Sequence, residues 1–152
     1  TNSASGAPPR LLDMGVEPFL LTSSLNVVAG QRVIRKICQK CRVEFGAPLE
    51  IVENIKAVLG KYLPKSTGGN IKLFKGTGCN ACVRTGYLGR IGIFEVLVLT
   101  EGLIELILEH ASSSAIEQAA VSAGMMTMKQ DGYLKVLEGI TTMEEVLRVA
   151  QD

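Results

Sequence analysis

The sequence predicts a mixed α/β chain of the α+β kind: a few strands, a tetracysteine metal subdomain and a helical C-terminal third. Three observations carry that expectation. Val27 to Ile37 and Arg90 to Leu99 are rich in β-branched residues, which suit a pleated, half-buried strand. Residues 100–152 repeat apolar side chains at helical spacing. All four cysteines fall in two C-x-x-C pairs, Cys38 with Cys41 and Cys79 with Cys82.

Along the chain, residues 1–16 read as a loop punctuated by Pro8, Pro9 and Gly15. Glu17 and Pro18 open a helix through Phe19, Leu20, Leu21 and Leu25, because proline is tolerated in a first turn. From Val27 to Ile37 the pattern admits a helix or a strand, and the β-branched residues favour a buried strand. Pro48 opens a helix whose apolar positions are Ile51, Ile55, Val58, Leu59 and Tyr62. Gly60, Pro64 and the stretch 66–69 end it in a loop. Ile71 to Phe74 is a short strand, and Arg90 to Leu99 a longer one.

In the last third, Thr100 caps a helix bearing Leu103, Ile104, Leu106, Ile107 and Leu108. Ser114 and Glu117 have capping-box spacing, with Gly124 as terminator. A further helix runs from Met128 to Glu138 and closes at Gly139. Thr142 and Glu145 cap the last one, which carries Val146, Leu147 and Val149.

Composition bounds the function. With 152 residues, the chain can form one ordinary domain or two small ones. It is 47% hydrophobic and 20% charged, which excludes disorder. No apolar run reaches the roughly 18 residues of a membrane span, and no secretory signal is visible. The chain starts at Thr1 in a Ser/Ala/Gly/Pro stretch, and we read it as part of a longer protein. Net charge is +1, but residues 1–99 carry 13 Lys/Arg and 6 Asp/Glu, whereas residues 100–152 carry 3 and 9. Either two units attract each other or other subunits, or both are ordinary solvated surfaces.

The cysteines carry the chemistry. A gap of 37 residues separates the two pairs. Zinc takes four thiolates tetrahedrally, and two C-x-x-C turns complete its sphere with no open position. Such a site stabilises structure and does not catalyse. A redox pair or free thiols are the alternatives. Gly76 and Gly78 suit the second turn, which needs unusual backbone angles. Lys36, Lys40, Arg42, Lys75, Arg84 and Arg90 would offset the negative charge of a tetrathiolate centre. Cysteine usage of this kind fits a reducing, cytoplasmic setting.

Other candidates point to structure. His110, the only histidine, lies near a helix C-terminus and reads as a capping or surface residue. Met125, Met126, Met128 and Met143 read as core filler, with a partner groove as the sharper alternative. The run Arg32, Arg35, Lys36, Lys40 and Arg42 is either a solvated edge that balances metal charge or a phosphate or nucleic-acid surface. Aromatics are only 5% with no Trp, which argues against base stacking. No P-loop is present, since Gly60 and Lys61 lack the flanking Gly and Ser/Thr.

Longer motifs resemble the secretion ATPase family, comprising type II secretion E proteins and type IV pilus extension ATPases. The segments are Thr1 to Ala4, Arg10 to Leu20, Ser23 to Leu25, and Gln31 with Arg32. They continue through Gly78 to Cys82, Thr85 to Leu97, Asp131 with Gly132, Lys135 with Val136, Gly139 to Thr142, and Glu144 to Val146. The resemblance implies three segments. Residues 1–35 would end a RecA-like nucleotide-domain sheet, 36–99 would be the zinc subdomain, and 100–152 a helical cap. It further implies a hexameric ring at the cytoplasmic face of the inner membrane, acting on a membrane platform protein, with no nucleic acid. ATP and Mg²⁺ would bind only in upstream parts of the parent, so this fragment would not hydrolyse ATP alone. The alternative is a free-standing zinc ribbon that binds nucleic acid through Arg32 to Arg42. Its affinity would fall steeply with salt.

Overall fold

In the computed structural model, which describes residues 1–67 and 70–150, the β-branched stretch Val27–Ile37 is one strand, β1. It is hydrogen-bonded to a second long strand, β4 (Tyr87–Val98). The chain forms two compact units, each drawn from two stretches: 1–31 with 94–127, and 32–93 with 128–152. The mixed α/β class holds, with two small sheets and seven α-helices among the described residues. The three segments expected along the chain follow sequence order, whereas each compact unit gathers distant stretches.

The first unit contains α1 (Ala7–Asp13), α2 (Pro18–Ser24), α4 (Glu101–Leu108) and α5 (Ser113–Ser122), with the start of β1 and the end of β4. Helix α1 corrects the expected loop over residues 1–16. Pro8 and Pro9 lie in its first turn, where a backbone N–H has no helical partner to lose, so they open a helix instead of breaking one. Helix α2 starts where expected, and the Glu17 carboxylate accepts from the Leu20 N–H at 2.8 Å. The core joins Ala4, Leu21, Leu97, Leu103, Ile107, Ile116, Ala120 and Met125. In β4, Glu95 and Leu97 are buried, while Phe94, Val96 and Val98 stay 44–56% exposed on the other side.

The caps depart from expectation twice. Thr100 occupies the N-cap of α4 but makes no side-chain capping bond. Helix α5 is capped by Ser112, whose hydroxyl accepts from Ala115 N–H at 3.2 Å, so Ser114 lies inside the first turn and not at the cap. Serine recurs at 112, 113 and 114, and only the first leaves its backbone extended.

Helix α4 ends in paired reverse bonds, His110 N–H to Ile107 and Ala111 N–H to the Leu106 carbonyl. That motif needs a left-handed residue after the cap. Gly124 and Gly139 fill this place in later helices, but here it is His110, at φ 56°. Replacing His110 by Gly is therefore expected to stabilise the chain by about 0.5–1 kcal/mol, the left-handed penalty less the added unfolded-state entropy. A higher urea midpoint would show it.

The second unit holds the rest of β1 and β4, together with β2 (Arg42–Gly46), α3 (Leu49–Leu59), β3 (Lys72–Gly76), α6 (Met128–Leu137) and α7 (Met143–Val149). Strand β2 has no counterpart in the sequence reading. It pairs antiparallel with β3, from Arg42 opposite Gly76 to Gly46 opposite Lys72. Pro48 caps α3, which ends at Leu59, and Tyr62 falls in the 3-10 turn that follows. Of the loop expected over 66–69, Ser66 and Thr67 lie in a 3-10 turn, and Gly68 and Gly69 lie outside the described residues.

The core of this unit comprises Ile34, Ile55, Leu59, Ile71, Leu73, Ile93, Met128, Tyr133, Val136 and Val146. Two polar ties fix α6 against α3. The Tyr133 hydroxyl donates to Asn54 at 2.8 Å, and the Gln130 amide donates to the Val58 carbonyl at 2.9 Å. Helix α6 also packs on α7, where a Cβ at Gly132 would lie 2.5 Å from Val146. Met125 and Met128 are buried, each in the core of its own unit, and Met143 packs against the second core.

Charge divides between the compact units as unevenly as it does along the chain. The first has Arg10 as its only Lys/Arg against seven Asp/Glu, a formal −6. The second has 15 Lys/Arg against 8 Asp/Glu, a formal +7. No helix among the described residues is long and apolar enough to cross a membrane.

Candidate metal centre

Strand pairing brings the two C-x-x-C turns together across their long separation. Cys38 follows the end of β1, and Cys41 immediately precedes β2. Cys79 follows the end of β3 by three residues and caps the 3-10 turn Asn80–Cys82. Because β2 lies against β3, Thr77 N–H reaches the Cys41 carbonyl at 3.0 Å. Cys38 N–H donates to the Gly86 carbonyl at 2.9 Å, which anchors the first turn to the chain beyond the second.

The four sulfurs form a closed cluster, all within 4.8 Å of one another. Cys38 to Cys79 is 3.8 Å, Cys79 to Cys82 is 3.8 Å, and Cys41 to Cys82 is 3.9 Å. A tetrahedral ion with metal–sulfur bonds of about 2.3 Å sets its ligands about 3.8 Å apart. The spacing thus fits a single tetrathiolate ion and is far longer than the roughly 2.05 Å of a disulfide. Cys38, Cys41 and Cys82 are buried, so this set of donors could hold a metal ion away from solvent.

Backbone donors prepare the site for negative charge. Cys82 Sγ accepts from the N–H groups of Cys79 and Gly86, each at 3.2 Å. These bonds, the one from Cys79 foremost, hold the Cys82 thiol down at about 6. Burial pushes Cys41 up to about 11, against a bond from the Gly78 backbone. Beyond Cys82 the chain turns through two left-handed non-glycine residues, Val83 at φ 51° and Arg84 at φ 63°. Arg84 N–H then closes back on the Cys79 carbonyl at 2.9 Å. A β-branched residue in that region is strained, and the strain lies directly beside the cluster.

The two glycines expected at the second turn serve different needs. Gly78 has φ 89°, as the turn requires. Gly76 is there for close approach, because a Cβ would lie 2.7 Å from the Gly86 carbonyl carbon and closer still to its oxygen. Gly86 is the residue whose N–H holds Cys82 Sγ. Gly76→Ala is therefore expected to displace Gly86, cost about 1–3 kcal/mol and speed metal release to a chromophoric chelator.

The expected basic surround is partly spent on packing. Arg42 stacks over the Phe74 ring at 4.1 Å and bonds Gln39 at 3.3 Å, and Lys75 lies 5.3 Å from the Phe45 ring. Arg35 stacks over Tyr87 at 4.2 Å and pairs with Glu145 at 2.6 Å. His110 belongs to the other unit, at the end of α4.

The Glu145 arrangement is one that sequence reading missed. Glu145 is 1% exposed and accepts from the Arg35 side chain, the Arg35 backbone N–H and the Arg148 guanidinium. Thr142 caps α7, as expected, and its hydroxyl also meets the Tyr87 hydroxyl at 2.9 Å. Arg148 three residues further along the helix is a local signal for the pair. Arg35, 110 positions away, leaves none.

Comparison with known proteins gives this geometry a setting. Residues 1–148 match the family model described as type II/IV secretion system protein. The chain is similar to the type IV pilus assembly ATPase PilB of Myxococcus xanthus, 38% identical over 147 residues, or 97% of this chain and 25% of the relative. It is similar to the type II secretion system protein E of Aeromonas hydrophila, 40% identical over all 152 residues and 28% of that protein. The corresponding protein of Xanthomonas campestris is 42% identical over 152 residues, 26% of its length. The chain spans about a quarter of the length of the curated relatives it matches.

Proposed function

This chain belongs to the type II/IV secretion system protein family, and we propose that it is the non-catalytic C-terminal portion of an ATPase that powers type II secretion or type IV pilus assembly. The observation that carries this reading is likeness over the whole chain to ATPases of pilus assembly and to type II secretion E proteins. In the reading, Cys38, Cys41, Cys79 and Cys82 hold one structural zinc, which the tetrahedral sulfur spacing supports. The zinc fastens β2, β3 and the two turns, and performs no chemistry.

ATP and Mg²⁺ belong to upstream parts of the parent protein, where phosphoryl transfer to water would take place. Residues 1–35 would complete the RecA-like sheet of that motor. The exposed side of β4, with Phe94, Val96 and Val98, is a surface such a sheet would cover. Residues 36–99 would form the zinc subdomain and 100–152 the helical cap. The parent would work as a hexameric ring on the cytoplasmic side of the inner membrane, against a membrane platform protein. Against the nucleic-acid alternative stand the scarcity of aromatics, 5% with no Trp, and the stacking of Arg42 on the Phe74 ring.

The test is steady-state ATP hydrolysis. This chain alone, with Mg²⁺, is expected to release no phosphate above background, whereas the parent protein hydrolyses ATP. ATP turnover by the chain alone would refute the assignment.

A further inference from the structure

A second cluster includes none of the cysteines. Arg35 from β1, Arg90 from β4 and Arg148 from α7 line one cavity of about 590 Å³, together with Val33 and Ile34. We propose that this cavity is a binding site for a phosphate dianion, either free or carried on a small molecule.

Charge supports the proposal first. Arg35 and Arg148 share one carboxylate, Glu145, at 2.6 and 2.9 Å. Arg90 is exposed and, among the described residues, takes part in no ion pair. Three guanidinium groups against one carboxylate leave a formal +2, which a dianion would neutralise. A neutral or cationic ligand would leave that repulsion in place.

Geometry supports it next. A guanidinium has five N–H donors in a planar fork that matches phosphate oxygens. Glu145 takes one side-chain donor from Arg35 and two from Arg148. The rest remain available, and the two side chains are 49% and 54% exposed. Both are also held in place in advance. The Tyr87 ring supports Arg35 from one side, and Glu145 grips Arg148 through two nitrogens. Ligation would therefore require little further ordering. The volume lies within the range of small-molecule sites, and the half-exposed Val33 offers an apolar side to a carrier group.

The experiment titrates the zinc-loaded chain with inorganic phosphate and, separately, with glycerol 1-phosphate, against chloride at matched ionic strength. Arginine Nε–Hε resonances and calorimetry are the readouts. Saturable shifts confined to Arg35, Arg90 and Arg148 are expected. Arg90→Gln should weaken binding about tenfold, the loss of one charge-assisted hydrogen bond, while leaving the phosphate-free melting temperature unchanged. Arg90→Lys should retain part of the affinity. Tighter binding of glycerol 1-phosphate identifies a carried phosphate, and equal binding a free one. An equal response to chloride, shifts spread over other arginines, or wild-type affinity in Arg90→Gln overturns the proposal. None of these outcomes depends on ATP turnover, so this test and the test of the proposed function fail independently.

Discussion

Stripping metal from the cysteine cluster with a chelator, or replacing Cys79 by Ser, is expected to release one zinc per chain and to destabilise it by more than about 4 kcal/mol, beyond ordinary single substitutions. The reason lies in what the cluster connects. Only short pieces of chain enclose it: the Cys38 to Cys41 turn, the Asn80–Cys82 turn, and the five-residue strands β2 and β3. The two-stranded β2–β3 pair is tied to the core through Leu73 and Phe45, but its cysteine-bearing end lies beyond those contacts. Without the ion, four thiols packed within 4.8 Å keep little to bind them, and the turn that carries the left-handed Val83 and Arg84 loses its anchor.

Helices α3, α6 and α7 have their own apolar contacts around Tyr133 and Val146, so loosening should concentrate at 38–46 and 72–86. Amide exchange should rise there first, while α6 stays protected. Elemental analysis of freshly reduced protein that finds no zinc, or exchange rates indifferent to chelator, would contradict the expectation.

How much of this was legible in the sequence depends on how local each cause is. The tetracysteine set could be read because two C-x-x-C turns carry their chemistry within four residues each. Helix α7 was legible for the same reason, through Thr142 and the apolar positions after it. Strand β2 was not, although Arg42, Val43, Glu44 and Phe45 alternate polar and apolar, because five residues are too few for alternation to stand out from a loop, and pairing with β3 fixes the strand. Helix α1 was misread because two prolines usually punctuate loops, yet both fall in a first turn. Gly76 was expected for its backbone angle, but its partner is Gly86, and no local rule reveals a close approach of that kind. The size of the charge division was legible in the sequence, but not which residues fall on each side, since each unit gathers residues from both halves of the chain.

Glu145→Ala is expected to cost about 2–4 kcal/mol, for the charge-assisted hydrogen bonds lost and the Arg35 backbone N–H left without its acceptor, because the half-exposed guanidinium groups are resolvated by water. Arg35 and Arg148 would then face each other without the carboxylate between them. The 2.6 Å bond from Arg35, the Arg35 backbone N–H at 2.9 Å and the paired bonds from Arg148 all end on this one side chain. Glu145→Gln keeps the volume and one acceptor oxygen, so its cost should be smaller but still clear. The pH dependence follows from the same contacts. Burial pushes the Glu145 carboxyl up, but bonds from the Arg35 and Arg148 side chains and the Arg35 backbone outweigh it and hold it at about 2. In the unfolded chain a glutamate titrates near 4.3. The folded value is the lower one, so the unfolded chain takes up the proton first as pH falls. Stability from this group is complete above about pH 4.5 and is lost as pH falls towards about 2. Urea unfolding from pH 6 down to 2.5 should show wild type losing stability across that window, with Glu145→Gln losing less. Parallel pH profiles for the two proteins would show that the carboxylate does not hold its arginines in this way.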